Sequence, residues 1–459
     1  MKKKIYIFCG GTINKVAPHF ALCAPAYGSV GVDMYRHLVD QDEYEVILMP
    51  TAMAFSSFMS YEGIGLQLKY AEVCKKAGVN WIESNDDLRK VVDYLKKEES
   101  TRCIVMASAV TDFVADSVDF VDPDPYINKI LWSEISADGY FKKRFDSSLH
   151  VSLHLASDEK IIDSIRSERK DIFLVSFKAT ADIPFSETYQ KGLAQLKRTS
   201  SNLVFANDII RKENMVITPE EYPYKYDDRG EAIEGLCEMI LNRLNLTFNR
   251  TTLIDGVKAD PLKLDEEDLI PENFIPVLGG LIKYGAFKEF KGRTAGHFGC
   301  VVKDKPYQRI SSVRKVNHNN VLSEGMSKIF IASDGDIAVM GGKASVGEHT
   351  QQMIYNELGD KVHSIIHFHC PPSEDFSDSI PVKKQAAFEC GSNECGINTV
   401  SGMKEIFDGV WVVHLENHGP NIAFYKYVDP EDVINFIKTN WDLSKKIAYQ
   451  VPEMNETIS

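Results

Sequence analysis

The stretch HSIIHFHC, residues His363–Cys370, reads as a buried strand that carries His367 and His369 two positions apart. On a strand, residues i and i+2 project from the same face. Two imidazoles side by side at the end of an apolar run make half of a tetrahedral site for a borderline-soft divalent cation. Two core histidines satisfied by hydrogen bonds would have the same spacing, so the pair alone leaves both readings open. Its surroundings add weight, because eight of the chain's twelve histidines fall between His297 and His418. In VWVVHLENHGP, Val410–Pro420, His418 follows a strand rich in β-branched residues and precedes Gly419, so it enters from a neighbouring strand's turn. His414 competes with it as a strand residue facing core or solvent. In KASVGEHTQQMIYNEL, Lys343–Leu358, Glu348 opens a helix nineteen positions before His367. A carboxylate there can be a ligand, a general base, or a favourable charge at the helix dipole.

Around this cluster the second half shows a helix from Phe274 to about Tyr284. Strands are expected near Gly299–Val302, Lys328–Ala332, Ile337–Met340 and Val410–Leu415, and helices at Glu348–Leu358 and Pro430–Ile447, the latter with Asp429 as N-cap. The first half alternates short apolar strands, Ile5–Cys9, Glu45–Met49, Cys103–Ala107, Phe173–Phe177 and Leu203–Phe205, with helical patterns such as Leu88–Lys97 and Glu187–Leu196. That alternation predicts an α/β fold with a doubly wound, mainly parallel, Rossmann-like sheet. Ile233–Leu244 reads as its closing helix. KADPLKLDEEDLIPEN, Lys258–Asn273, is acidic, holds two prolines and has no sustained periodicity. The expected division is therefore a first domain at 1–246, a linker at 247–272 and a second domain at 273–459.

The chain's 459 residues suit two domains. A formal net charge of −14 argues against nucleic-acid or anionic-membrane partners, while leaving room for a small anionic substrate. Nine scattered cysteines read as reduced thiols and a cytoplasmic location. No apolar run is long enough to span a bilayer. The opening MKKKIYIFCGGT lacks a long apolar h-region and a small-residue cleavage site, so it reads as a first strand.

Glu348, the step to His367-x-His369, Asn417–His418–Gly419, and GRTAGHFG (Gly292–Gly299) together resemble the class II aldolase/adducin family, over roughly Phe274 to Lys446. The resemblance implies a central antiparallel sheet flanked by helices, zinc held by His367, His369 and His418, and Glu348 moving the substrate proton. It also implies a homo-oligomer, dimer or tetramer. Gly296 and His297 fall on the substrate-binding TAGN segment, with His297 in place of its asparagine. The two serines that grip phosphate in the sugar-phosphate aldolases are Val346 and Gly347 here, and Arg314 is the candidate replacement anion partner. Breaking a carbon–carbon bond next to a carbonyl leaves an enediolate, whose charge zinc stabilises as a Lewis acid. Epimerase and dehydratase relatives use the same zinc.

Gly10, Gly11 and Thr12 follow the first strand, where backbone N–H groups can approach an anion. With ASAVTDF (Ala107–Phe113), LVSFKAT (Leu174–Thr180) and NLVFANDI (Asn202–Ile209), in that order, they resemble the phosphopantothenate–cysteine ligase family over roughly Lys2 to Leu246. The resemblance implies CTP or ATP with Mg2+, and places Ala107, Ser108, Asp112 and Phe177 against the nucleotide. The basic residues ahead of the AND segment fall at Lys197 and Arg198, and the family's lysine cluster is reduced to Lys129. The reading is a bifunctional enzyme: zinc-dependent aldolase-type lyase chemistry on a small hydroxy-carbonyl substrate, with ligase-like or nucleotide-binding activity. Its rivals are an epimerase or dehydratase with a degenerate ligase-like domain, and a ligase with a scaffolding aldolase-like module.

Overall fold

The computed structural model describes residues 2–40, 42–55, 64–121, 150–256, 259–264, 268–287, 289–290, 293–311, 325–331 and 336–445. The chain divides into two compact units, residues 1–218 with 224–244, and 219–223 with 245–459.

In the first unit the strands are β1 (Lys3–Gly11), β2 (Ile13–Ala17), β3 (Phe20–Cys23), β4 (Tyr44–Pro50), β5 (Thr101–Ala109), β6 (Phe113–Val121), β7 (His150–Ser157), β8 (Phe173–Thr180), β9 (Leu203–Asp208), β10 (Glu213–Ile217) and β11 (Pro223–Tyr226). The helices are α1 (Ser29–Leu38), α2 (Ile64–Lys76), α3 (Asn85–Lys97), α4 (Ile161–Glu168), α5 (Phe185–Thr199) and α6 (Arg229–Leu244). The main sheet has the order β11-β10-β9-β8-β5-β1-β4. The run from β4 through β1, β5 and β8 to β9 is parallel, and β10 is antiparallel to β9. Ile5–Cys9 are all buried, as expected of a parallel strand covered on both faces. Helix α3 shows how the sequence starts an element. Ser84 and Asp87 form a reciprocal capping box, and Leu88, Val91, Val92 and Leu95 bury one face at helical spacing. The chain order reverses between β1 and β5, the switch point at which open α/β sheets place ligands.

In the second unit the strands are β12 (Thr251–Leu253), β13 (Glu289–Phe290), β14 (Arg293–Thr294), β15 (His297–Val301), β16 (Tyr307–Ile310), β17 (Ser327–Ile331), β18 (Ile337–Met340), β19 (Ser364–His367), β20 (Val382–Lys383), β21 (Lys404–Phe407), β22 (Val410–Leu415) and β23 (Gly419–Phe424). The helices are α7 (Phe274–Lys283), α8 (Glu348–Leu358), α9 (Asn393–Val400) and α10 (Pro430–Asn440). The sheet runs β12-β18-β17-β16-β15-β19-β23-β22-β20, with β21 also on β22. It is antiparallel from β18 to β22. Phe274 and Val277 of α7, Ile437 of α10, and Phe298, Phe368 and Trp441 share one core cluster.

Two expectations change. Residues 247–272, read as a linker, lie within the second unit: β12 pairs parallel with β18, and Arg309 donates to the carbonyls of Leu262 and Lys263 and to Asp268. Three residues are too short for a periodic signal, and a buried arginine is invisible to composition. The last helix, expected to reach Ile447, ends at Asn440, because Trp441 turns extended, bridges to Pro372 and packs on Phe368. Among the described residues, no helix is long and apolar enough to cross a membrane.

Candidate metal centre

β19 lies between β15 and β23, with His367 opposite His297 on one side and Asn421 on the other. His367 and His369 leave the backbone on one side while Phe368 between them enters the core, fully buried. His418 reaches them through the turn joining β22 to β23. That turn requires Asn417 at φ 59 and Gly419 at φ 119, the left-handed region that asparagine and glycine tolerate. A Cβ on Gly419 would overlap the carbonyl oxygen of Phe368, so the glycine is what lets the turn lie against residues 368–369. Gly296, at φ 96, plays the same part on the other flank, where a Cβ would crowd the carbonyl of His367.

The three imidazoles converge. Ring centroids are 4.9 Å apart for His367–His369, 4.7 Å for His367–His418 and 4.9 Å for His369–His418. One nitrogen of each lies within 4.8 Å of the others. Nitrogens about 2.1 Å from a tetrahedral zinc lie about 3.4 Å apart, so small rotations of the rings would meet one ion. His367 Nδ1 is 2.8 Å from the carbonyl of Pro420, which can only accept, so Nδ1 carries the hydrogen and Nε2 keeps its lone pair. Buried His367 Nε2 has no hydrogen-bond partner within the protein. Burial, then the neighbouring His418, holds the His367 pKa well below the ordinary value, leaving the neutral imidazole a metal needs. The donor set therefore fits zinc. His414 takes no part: buried, its Nδ1 accepts from Trp441 Nε1 at 3.2 Å, and burial pushes its pKa down to about 4.

Glu348 sits at the start of α8, and burial pushes its carboxyl up to about 7, against the opposing hydrogen bond from Thr251. Thr251 Oγ1 donates to Oε1 at 2.6 Å, while buried Oε2 has no partner within the protein. The ring of His297 links this carboxyl's neighbourhood to the triad. Gly347, adjacent to Glu348, lies so close that a Cβ there would overlap the ring, and the ring centroid is 4.7 Å from that of His367. Gln351 of α8 holds His297 Nδ1 at 2.7 Å. Thr251, Gln351 and the Pro420 carbonyl escaped the sequence reading. Thr251 lay in the expected linker, Gln351 on a helix read only for its N-terminus, and a carbonyl has no residue-type signal. Arg314 lies outside the described residues, as does Lys129.

In the first unit, Gly10 and Gly11 at the end of β1 pair with Ser108 and Ala109 of β5, one step beyond the Cys9–Ala107 pair, at the switch point. The glycines permit close packing: a Cβ would overlap Thr51 Oγ1 at Gly10 and the carbonyl of Ala24 at Gly11. The N–H groups of Gly11 and Thr12 donate to the carbonyls of Ala26 and Ala109, and the Thr12 hydroxyl to Asn85, so these groups serve the fold. Buried Ser108 Oγ has no partner within the protein. Asp112 pairs with Lys160, and Phe177 packs on Phe205 at 5.2 Å between centroids. Lys197 lies apart from the strand tips. Thr188, early in α5, bonds Thr180 at the tip of β8, whereas Thr199 after Lys197 bonds Ser201, which reaches Ser176 further back along the strand.

No family model matches the chain, and no curated protein matches it in sequence. Among solved structures, a DNA/pantothenate metabolism flavoprotein from Streptococcus pneumoniae is similar over the N-terminal half, at 17% identity and TM-score 0.39, covering 52% of this chain and 98% of its own. Over the C-terminal part the similar structures include YgbL from Klebsiella pneumoniae, a putative aldolase/epimerase/decarboxylase, at 14% identity and TM-score 0.29, covering 38% of this chain and 88% of its own. An L-fuculose 1-phosphate aldolase matches at 17% identity and TM-score 0.25, covering 35% and 81%.

Proposed function

We propose that the second unit is a zinc-dependent aldolase-type lyase acting on a small hydroxy-carbonyl substrate, with His367, His369 and His418 as ligands and Glu348 as the general base. The reading rests on the convergence of the three imidazoles, one of them locked with a buried Nε2 that nothing in the protein satisfies. Zinc bound there would supply Lewis-acid polarisation of the substrate's oxygens. A carboxyl whose pKa lies at about 7 exchanges protons readily near neutral pH. As base, Glu348 takes the substrate's hydroxyl proton while the carbon–carbon bond breaks, and a proton returns to the carbon left with the electron pair. A dehydratase would expel water and an epimerase would release no smaller carbonyl product, so product analysis separates the three. Metal analysis of the full chain is the test. About one zinc per chain, lost on His367→Ala, supports the reading, and a chain that takes up no divalent metal overturns it.

For the first unit, binding of CTP or ATP with Mg2+ at the switch point between β1 and β5 is favoured by the partnerless Ser108 hydroxyl buried there. Calorimetric titration of the full chain with each nucleotide tests it. Binding weakened by Ser108→Ala supports a ligase-like site, and no binding makes the unit a degenerate domain.

A further inference from the structure

We infer that Thr251 is the positioning residue of Glu348, the middle of a hydrogen-bond chain His349–Thr251–Glu348 that fixes which carboxyl oxygen faces the chemistry. The inference deepens the lyase reading and rests on it for the word "base", but the chain of bonds stands by itself. Thr251 Oγ1 lies 2.6 Å from Glu348 Oε1 and 3.3 Å from His349 Nε2. A threonine hydroxyl has one proton, and an ionised carboxylate can only accept. That proton therefore goes to Glu348, and His349 Nε2 must donate to Thr251. One tautomer of His349 is selected, and Oε1 is committed, leaving buried Oε2 as the oxygen able to take a proton. The clamp comes from β12, which is held on the sheet by pairing with β18, so the segment ahead of the sheet's main body supplies part of the site.

Bonding to the charged form favours it, so Thr251 restrains the carboxyl that burial drives up. The other groups facing this pair are His349, 3.8 Å from Glu348 Oε1 and itself held neutral by burial, Asp336 beyond it, which opposes that burial, and His297 of β15 against Gly347. Removing the hydroxyl while keeping the β-branched shape leaves strand pairing intact and takes away its bonds to Glu348 and His349.

The experiment is an infrared titration of the full, zinc-free chain, with the Glu348 carboxyl band assigned by its loss in Glu348→Gln. Thr251→Val is expected to move the midpoint up by about one pH unit, the size of a lost bond to a charged group, and Thr251→Ser to restore it. An unchanged midpoint in a folded Thr251→Val, or one that Thr251→Ser fails to restore, overturns the inference. If Thr251→Val does not fold, Thr251→Ala and Thr251→Ser are compared, and equal midpoints again overturn it. Metal content of the wild type is read separately, so a chain without zinc sinks the lyase reading while leaving the clamp to be judged on its own titration.

Discussion

His418 and His414 lie four positions apart, and sequence offered both as histidines near a strand end. The structure separates them by partners. His414 Nδ1 accepts from Trp441, so His414→Leu should leave metal content unchanged and cost about 1–3 kcal/mol in urea unfolding, because it strands a buried indole N–H. His418→Ala should do the reverse, losing metal at little cost to the metal-free protein; equal metal content in the two variants would contradict the assignment. Glu348 makes a pH prediction of its own. Its folded pKa, pushed by burial up to about 7, lies above the ordinary 4.5, so the stability it contributes is full below pH 4.5 and is lost as pH rises through 7. Glu348→Gln removes that loss. The metal-free variant should be the more stable protein at pH 8, by an amount on the order of 3 kcal/mol at most, and should converge with wild type near pH 4. A wild type as stable as the variant at pH 8 would count against a buried, raised carboxyl.

At the scale of elements, the turn from β22 to β23 is where a backbone conformation makes a site. Gly419→Ala sets a Cβ against the carbonyl of Phe368 in a backbone region that alanine rarely adopts. The expected outcome is a loss of about 2–4 kcal/mol in denaturant unfolding, together with loss of metal, since the turn must withdraw from residues 368–369. Retained metal at wild-type stability would show that the turn does not position His418. What was legible here was local: HxH on an apolar strand, asparagine and glycine bracketing a histidine, the N-cap Asp429 with Pro430. What escaped depended on distant partners. Thr251–Leu253 is a strand only because β18 lies beside it, and Leu262, Lys263 and Asp268 look like linker residues until Arg309 is seen buried against the first two's carbonyls and the third's carboxylate. In the first unit the apolar strand runs announced the parallel sheet. The position of Lys197 follows from that same topology: a helix joining two parallel strands runs opposite to them, so its last turn lies away from the strand tips.

For the molecule as a whole, the two units have separate apolar clusters. One is built on Ile5–Cys9, Cys103–Val105 and the helices around them; the other on Phe274, Phe298, Phe368 and Trp441. The groups argued to hold each proposed ligand fall in one unit: His367, His369 and His418 in the second, Ser108 in the first. A ligand that binds only the folded state stabilises it by RT ln(1 + [L]/Kd), about 2.7 kcal/mol at one hundred times Kd. Scanning calorimetry of the full chain should therefore resolve two transitions that respond to different additions. Chelation should lower one, with His367→Ala already at the chelated position and indifferent to further chelator. Saturating CTP or ATP with Mg2+ should raise the other, and Ser108→Ala should blunt that rise without touching the chelator response. A single transition moved alike by chelator and nucleotide would mean that the separate clusters do not melt separately, and assigning one ligand to each unit would then have to be given up.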